Sequence, residues 1–176
     1  MTAFTVVATI VCGLIALVVV MSCVRWRREY DKQTIADVKH KADLLLRRGY
    51  EGGFMIVTDR QSDRFVQFRK YIHRKGEFGR ELGFPRAPWS AKDYDRVSQL
   101  LRAEGLPIVV QPTNDSPVTE FLLVDFGRDT GRLVSIIARI FHEIFETPRD
   151  RTFRVRSAGI AARDVLVDSP RHTESD

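Results

Sequence analysis

An uncharged, apolar run at the start of the chain constrains the fold more than any other feature. No charged side chain occurs in residues 1–24, and Val, Ile, Leu and Ala dominate residues 4–24. A helix over this run would be about 31 Å long, at about 1.5 Å per residue, which matches the hydrocarbon core of a bilayer. We therefore predict a single transmembrane helix, with the lipid bilayer as the first partner of the chain.

Basic and aromatic residues follow this run directly, as Arg25, Trp26, Arg27 and Arg28. Lys and Arg resist translocation, and anionic headgroups attract them, so this cluster predicts a membrane-surface contact on the cytoplasmic side. We expect a bacterial inner-membrane protein with its N-terminus outside and its domain in the cytoplasm. A cleaved signal peptide and lipidation of Cys23 remain alternatives, although the positive N-terminal charge typical of both is missing.

Small residues recur along one side of the predicted span. In lipid, small side chains let two helix backbones approach closely, so this side is expected to contact another membrane protein. Such rows also arise by chance in spans that are rich in Ala, Gly and Thr. The residues predicted to contact the partner within the membrane are Ala8, Thr9, Cys12, Gly13 and Ala16.

The remaining chain has the size and composition of one domain. We expect a membrane region over residues 1–28, a soluble domain over 29–156 and a disordered tail over 157–176. The net charge of +5 is scattered among acidic residues, which argues against nucleic acid as a partner. Both cysteines, Cys12 and Cys23, lie in the apolar run, so the domain is expected to have no disulfide and no cysteine metal site.

Hydrophobic periodicity predicts an α+β domain with an antiparallel sheet and about three helices. The expected order is helix, three strands, helix, two strands, helix, and a short strand over 152–156 is a further candidate. Gly49 and Gly105 are expected to end the first two helices, and Ser90 to cap the second with its side chain. The helices are predicted over 35–48, 90–104 and 130–146, and the strands over 53–58, 64–72, 77–84, 106–111 and 119–126.

Motifs for catalysis are missing from the predicted domain. His142 and Glu143 are followed by Glu146 rather than by a second histidine, so the zinc-protease pattern is incomplete. The glycines at 76–83 lack the Lys-Ser/Thr pair of a phosphate-binding loop. We therefore predict no catalytic residue, no metal and no cofactor.

The second predicted strand carries large apolar residues on both faces, which is unusual for a half-exposed sheet. Its residues Phe65, Gln67, Phe68 and Tyr71 are predicted to bind a protein partner. The alternative is an ordinary central strand that helices bury on one side and that is partly covered on the other.

The order of elements, with Phe65-Val66-Gln67-Phe68 in the second strand, Trp89-Ser90 before the second helix and Glu104-Gly105-Leu106 after it, resembles the superfamily of YbjN and type III secretion chaperone-like proteins. The resemblance covers about residues 34–156. It implies a non-enzymatic domain that binds peptides or proteins, often as a homodimer. The membrane anchor departs from this family, whose members are usually soluble.

These observations favour a membrane-tethered binding protein, either an accessory or assembly subunit of a membrane complex or a chaperone-like module. One rival hypothesis is an enzyme or ligand sensor with a pocket that the sequence does not reveal. Another is an adaptor that binds the lipid surface through its basic cluster.

Overall fold

A computed structural model of the protein describes residues 32–72, 76–112 and 119–161. The predicted membrane span, its row of small residues and the basic cluster at 25–28 lie outside these residues, as does the tail after Ala161. None of the helices in the described ranges is both long and apolar enough to cross a membrane.

Three helices and six strands make up the described domain. The helices are α1 (Ile35–Arg48), α2 (Ala91–Ala103) and α3 (Thr130–Arg139), and α3 continues into a π-helical turn, Ile140–Ile144. The strands are β1 (Gly49–Asp59), β2 (Phe65–Ile72), β3 (Phe78–Pro85), β4 (Val109–Pro112), β5 (Glu120–Gly127) and β6 (Phe153–Ile160).

The six strands form one sheet in the order β4-β5-β3-β2-β1-β6, and every neighbouring pair is antiparallel. The predicted α+β class and both predicted hairpins are therefore confirmed. The sixth strand runs further than the expected 152–156, because Ser157 and Ala158 pair with Met55 and Phe54 of β1. The expectation of a disordered tail from residue 157 is thus wrong for its first residues.

All three helices contribute to a single hydrophobic core against one face of the sheet. The apolar side of each helix and alternate residues of β1, β2, β3, β5 and β6 are buried in this core. Burial of this apolar surface is the main term that stabilises such a fold. The helix residues include Val38, Ala42, Leu45, Tyr94, Val97, Leu101, Leu133, Ile136 and Ile137.

The first helix begins at a capping box and ends at Gly49. Thr34 accepts from the backbone N–H of Asp37, whose carboxylate accepts from the backbone of Thr34 at 2.8 Å. Gly49 ends the helix as predicted, with φ −72° rather than the left-handed conformation common for glycine at this position. A Cβ there would lie 2.9 Å from Leu45 Cδ1 and would also strike the carbonyl of Leu45. Glycine is needed here for space.

The second helix starts differently from the prediction. The Ser90 hydroxyl makes no hydrogen bond to the helix. It instead donates to the carbonyl of Pro85 at 2.6 Å and accepts from the backbone N–H of Ala87 at 2.9 Å. The side chain therefore fastens the preceding loop, because its oxygen is already engaged there.

The third helix is shorter than the predicted 130–146. Asp129 caps its start, accepting from the backbone N–H of Arg132 at 2.8 Å. After Arg139 the backbone widens into the π-helical turn, and Glu146 adopts φ +58°. The π turn lets Phe141, Ile144 and Phe145 all enter the core.

Candidate functional site: a groove on the open face of the sheet

The face of the sheet opposite the helices, called the open face below, carries partly exposed apolar side chains. Phe54 of β1 is 41 % exposed, and Phe121 and Leu123 of β5 are half-buried. They alternate along their strands with core residues such as Met55 and Leu122, so they point away from the helices.

A groove with a volume of about 460 Å³ crosses this face from β1 to β4. It touches all of the strands except β6, the edge strand beside β1. This open-face groove is lined by Gly52, Phe54, Gln67, Phe68, Arg69, Glu81, Gly83, Gln111, Pro112, Phe121 and Leu123.

Gly83 creates the depth at the centre of the groove. A Cβ at this position would lie 3.5 Å from Leu123 Cδ2, 3.6 Å from Phe121 Cδ1 and 3.7 Å from Gln67 Nε2. These are ordinary van der Waals distances, so alanine fits without strain. A longer side chain would project into the space that the groove offers.

The polar groups of the groove leave it without net charge. The Arg69 guanidinium donates through Nε to Glu81 Oε2 at 2.7 Å, and its Nη2 lies at the same distance from that oxygen. Gln67 and Gln111 add two amides, each with both donor and acceptor capacity. The groove thus presents apolar surface, two amides and a neutralised ion pair.

Tyr71 lies on the open face, one alternate position beyond Arg69, and is bound to β5. Its hydroxyl donates to the carboxylate of Asp125, with both oxygens at 2.8 Å. Partial burial, the hydrogen bond and the negative charge of Asp125 raise the pKa of Tyr71 to about 12. This phenol is therefore a neutral donor over the whole physiological range, and it braces β2 and β5 across β3.

The four domain residues predicted to bind a partner do not form one surface. Gln67 lines the groove, and Tyr71 shares its face of the sheet. Phe68 borders the groove, but its side chain is only 1 % exposed and belongs to the helix-covered core. The ring of Phe65 packs on Trp89, with centroids 4.5 Å apart.

Sequence reasoning missed the apolar residues that shape the groove most, namely Phe54, Phe121 and Leu123. A signal was present, because the run 121–124 is apolar on both faces of its strand, as β2 is. Gly83 within a predicted strand was a second sign, since glycine in a strand often marks a close approach to another group.

The residues of the incomplete zinc-protease pattern, His142 and Glu143, do not line the groove. Among the described residues, no group of three His, Cys, Asp or Glu side chains is arranged to hold a metal ion. His142 bonds through Nδ1 to the carbonyl of Thr147 at 2.7 Å, and Glu143 pairs with Arg139. Both residues thus have local structural contacts.

Comparisons with protein-family models, with curated protein sequences and with solved structures find no match to this chain.

Proposed function

We propose that this chain is a membrane-anchored binding protein, whose domain holds a segment of a protein partner in the open-face groove. The observation that carries the proposal is the groove itself, an apolar depression centred on Gly83 in a face that no described helix covers. Exposed apolar surface of this kind commonly marks an interaction site.

The lining suits a peptide segment better than a charged ligand. Phe54, Phe121 and Leu123 supply apolar contacts, and the amides of Gln67 and Gln111 can bond to peptide N–H and C=O groups. Because the Arg69–Glu81 pair is already neutralised, it offers little to a net charge on the partner. The expected occupant is an uncharged segment with apolar side chains.

The N-terminal run supports the membrane part of the proposal. Residues 4–24 have the length and composition of a span, and the cluster at 25–28 favours a cytoplasmic domain. A domain held at the membrane surface meets membrane proteins at a raised local concentration, which helps a groove of modest size to bind. The role that fits is an accessory or assembly subunit of a membrane complex.

The test is to fill the groove without changing the core. Full-length wild type, Gly83→Leu and Gly83→Ala are extracted from membranes in mild detergent, and the co-purifying proteins are quantified by mass spectrometry. Because leucine projects into the groove, we expect Gly83→Leu to lose the main partner at least about 10-fold, which corresponds to about 1.4 kcal/mol of binding free energy. Gly83→Ala should retain it.

Two outcomes would contradict the proposal. If Gly83→Leu is as stable as wild type and still retains the same partners, the groove is not their site. If the chain is recovered without detergent, in the soluble fraction, the anchor is absent. A small molecule that co-purifies with wild type and is lost from Gly83→Leu would instead favour a ligand sensor.

A further inference from the structure

The chain leaves the sheet close to one end of the open-face groove. The last strand ends at Ile160, opposite Gly49, and the N–H of Ala161 donates to the carbonyl of Arg48 at 2.9 Å. Just before this exit, Gly159 lies against Gly53, where a Cβ on Gly53 would be 2.8 Å from the Gly159 carbonyl. The flanking residues of Gly53, Gly52 and Phe54, both line the groove.

The segment after Ala161 is long enough to cross the whole groove. At about 3.3 Å per residue, residues 162–165 alone span about 13 Å in extended backbone. The groove covers five strands, and four spacings of about 4.8 Å amount to about 19 Å. The full segment 162–176 exceeds that distance more than twofold when extended, at about 50 Å.

The composition of this segment matches the groove. Val165, Leu166 and Val167 form a continuous apolar patch in an otherwise polar stretch, with Asp164 before it and Asp168 after it. Val165 and Val167 are β-branched, and β-branched residues are common in extended strands.

Charge complementarity gives a second match. On the open face, exposed Arg156 of β6 lies opposite Ile56 of β1, two residues along the strand from the pair formed by Ala158 and the groove residue Phe54. An apolar segment in the groove would bring Asp164 or Asp168 near this guanidinium. The groove itself carries no net charge and suits the three apolar residues between them.

We propose that residues 165–167 occupy the open-face groove in the resting protein, and that a partner segment displaces them. This inference rests on the proposed function, since it concerns the same groove. Three apolar side chains suffice for a tethered segment, because a short tether gives an effective concentration in the millimolar range. The tail then lowers the apparent affinity for partners by the fraction of time that it occupies the groove.

Cysteine pairs in the full chain test this occupancy directly, because the native cysteines are only Cys12 and Cys23 and both can be replaced by serine. In that background, Gln67→Cys with Leu166→Cys should form an intramolecular disulfide under mild oxidation. The matched control is Lys92→Cys with Leu166→Cys, since Lys92 is exposed on α2, on the helix side of the sheet. We expect the groove pair to form its disulfide at least about 5-fold faster.

A synthetic peptide of residues 162–170 provides the second readout. Full-length Leu166→Asp should bind the labelled peptide on the order of 3–10-fold more tightly than wild type, because its own tail no longer competes. Ser169→Asp, outside the apolar patch, should bind the peptide as wild type does. Adding Gly83→Leu to Leu166→Asp should abolish the gain.

These outcomes separate the tail from the partner. Equal disulfide rates for the two cysteine pairs, or no gain in peptide binding by Leu166→Asp, would overturn tail occupancy. A disulfide that forms only between two chains would do the same, and would assign the groove to a second copy. If Gly83→Leu nevertheless loses its co-purifying partner, the proposed function survives without this inference.

Discussion

The two faces of the sheet carry similar residues in different environments, and β2 shows this within a single strand. Val66 and Phe68 point into the helix-covered core, whereas Gln67 and Arg69 point to the open face. Both faces carry aromatic and aliphatic side chains, but only one face is covered by described helices. Apolar character alone therefore does not distinguish the residues that fold the domain from those that are available to bind.

Charged side chains also have different bonding partners on the two faces. Lys70 and Arg80 are paired across β2 and β3 and are fully buried on the helix side. Lys70 donates to the carbonyl of Gly49 at 2.7 Å, and Arg80 donates to the Thr130 hydroxyl at 2.6 Å. Burial lowers the pKa of both groups, partly offset at Arg80 by the charge of Asp43. On this face, cations fasten α1 and α3 to the sheet.

On the open face the corresponding charges bind one another within the sheet. Arg69 pairs with Glu81, and Tyr71 holds Asp125, so neither pair connects the sheet to a helix. Removing one of these groups should alter local strand contacts without loosening the layer of helices.

The largest expected effect comes from a matched pair of phenylalanines, Phe68 on the helix side and Phe121 on the open side. Phe68→Ala should lower the free energy of unfolding by about 3–5 kcal/mol, because it leaves a cavity in the core. Phe121→Ala should cost less than about 1 kcal/mol, since its ring is already partly in water. Urea denaturation followed by circular dichroism measures both. Similar losses in the two variants would mean that Phe121 is packed as tightly as a core residue, which is more than a three-residue tail segment in the groove can account for.

The sequence predicted the helices and strands better than it predicted which face of the sheet each strand residue occupies. Both hairpins were recoverable because turn residues such as those at 59–63 separate two apolar runs, and antiparallel pairing follows from so short a connection. The face that a residue of β2 occupies was not recoverable, because apolar residues occur at both alternating sets of positions. Phe68 was accordingly placed with the binding residues, while Phe121 was missed.

The end of the third helix was missed for a related reason. The apolar stripe continues through Phe145, so periodicity extends the α-helix beyond its true end at Arg139. The π turn depends on tertiary contacts: Arg96 donates to the carbonyls of Glu143 and Ile144, and Arg64 donates to that of Phe145. Such contacts between distant segments have no periodic signal in the sequence.

A smaller difference in stability is expected between alanine substitutions at two glycines of the open face, Gly79 and Gly83, which both lie on β3. A Cβ on Gly79 would strike the Tyr71 hydroxyl and would lie 2.8 Å from Gly127 Cα, whereas one on Gly83 meets nothing nearer than 3.5 Å. Gly79→Ala should therefore cost about 1–3 kcal/mol through displacement of Tyr71 and of the β5 backbone. Gly83→Ala should be nearly neutral in thermal unfolding. If Gly79→Ala is equally neutral, Tyr71 does not hold its position over β3.

The smallest expected effect concerns Tyr71 and the pH dependence of the free energy of unfolding. Its pKa is raised from 10.0 to about 12 in the folded protein, so between these values the unfolded chain releases a proton that the folded chain keeps. The hydrogen bond to Asp125 consequently contributes its full stability below pH 10, and that contribution is lost as the pH rises towards 12. Tyr71→Phe should cost only about 0.5–1 kcal/mol at neutral pH, because Asp125 is exposed and can bind water instead. The variant should also lose this part of the alkaline decline in stability.

Absorbance at 295 nm provides the direct check. The phenol that ionises near pH 12 should be missing from the titration of Tyr71→Phe. It should persist in the control Tyr50→Phe, whose side chain is exposed at 55 %. If both variants titrate alike, the Tyr71–Asp125 bond does not form in solution, and β2 and β5 are joined only through the backbone of β3.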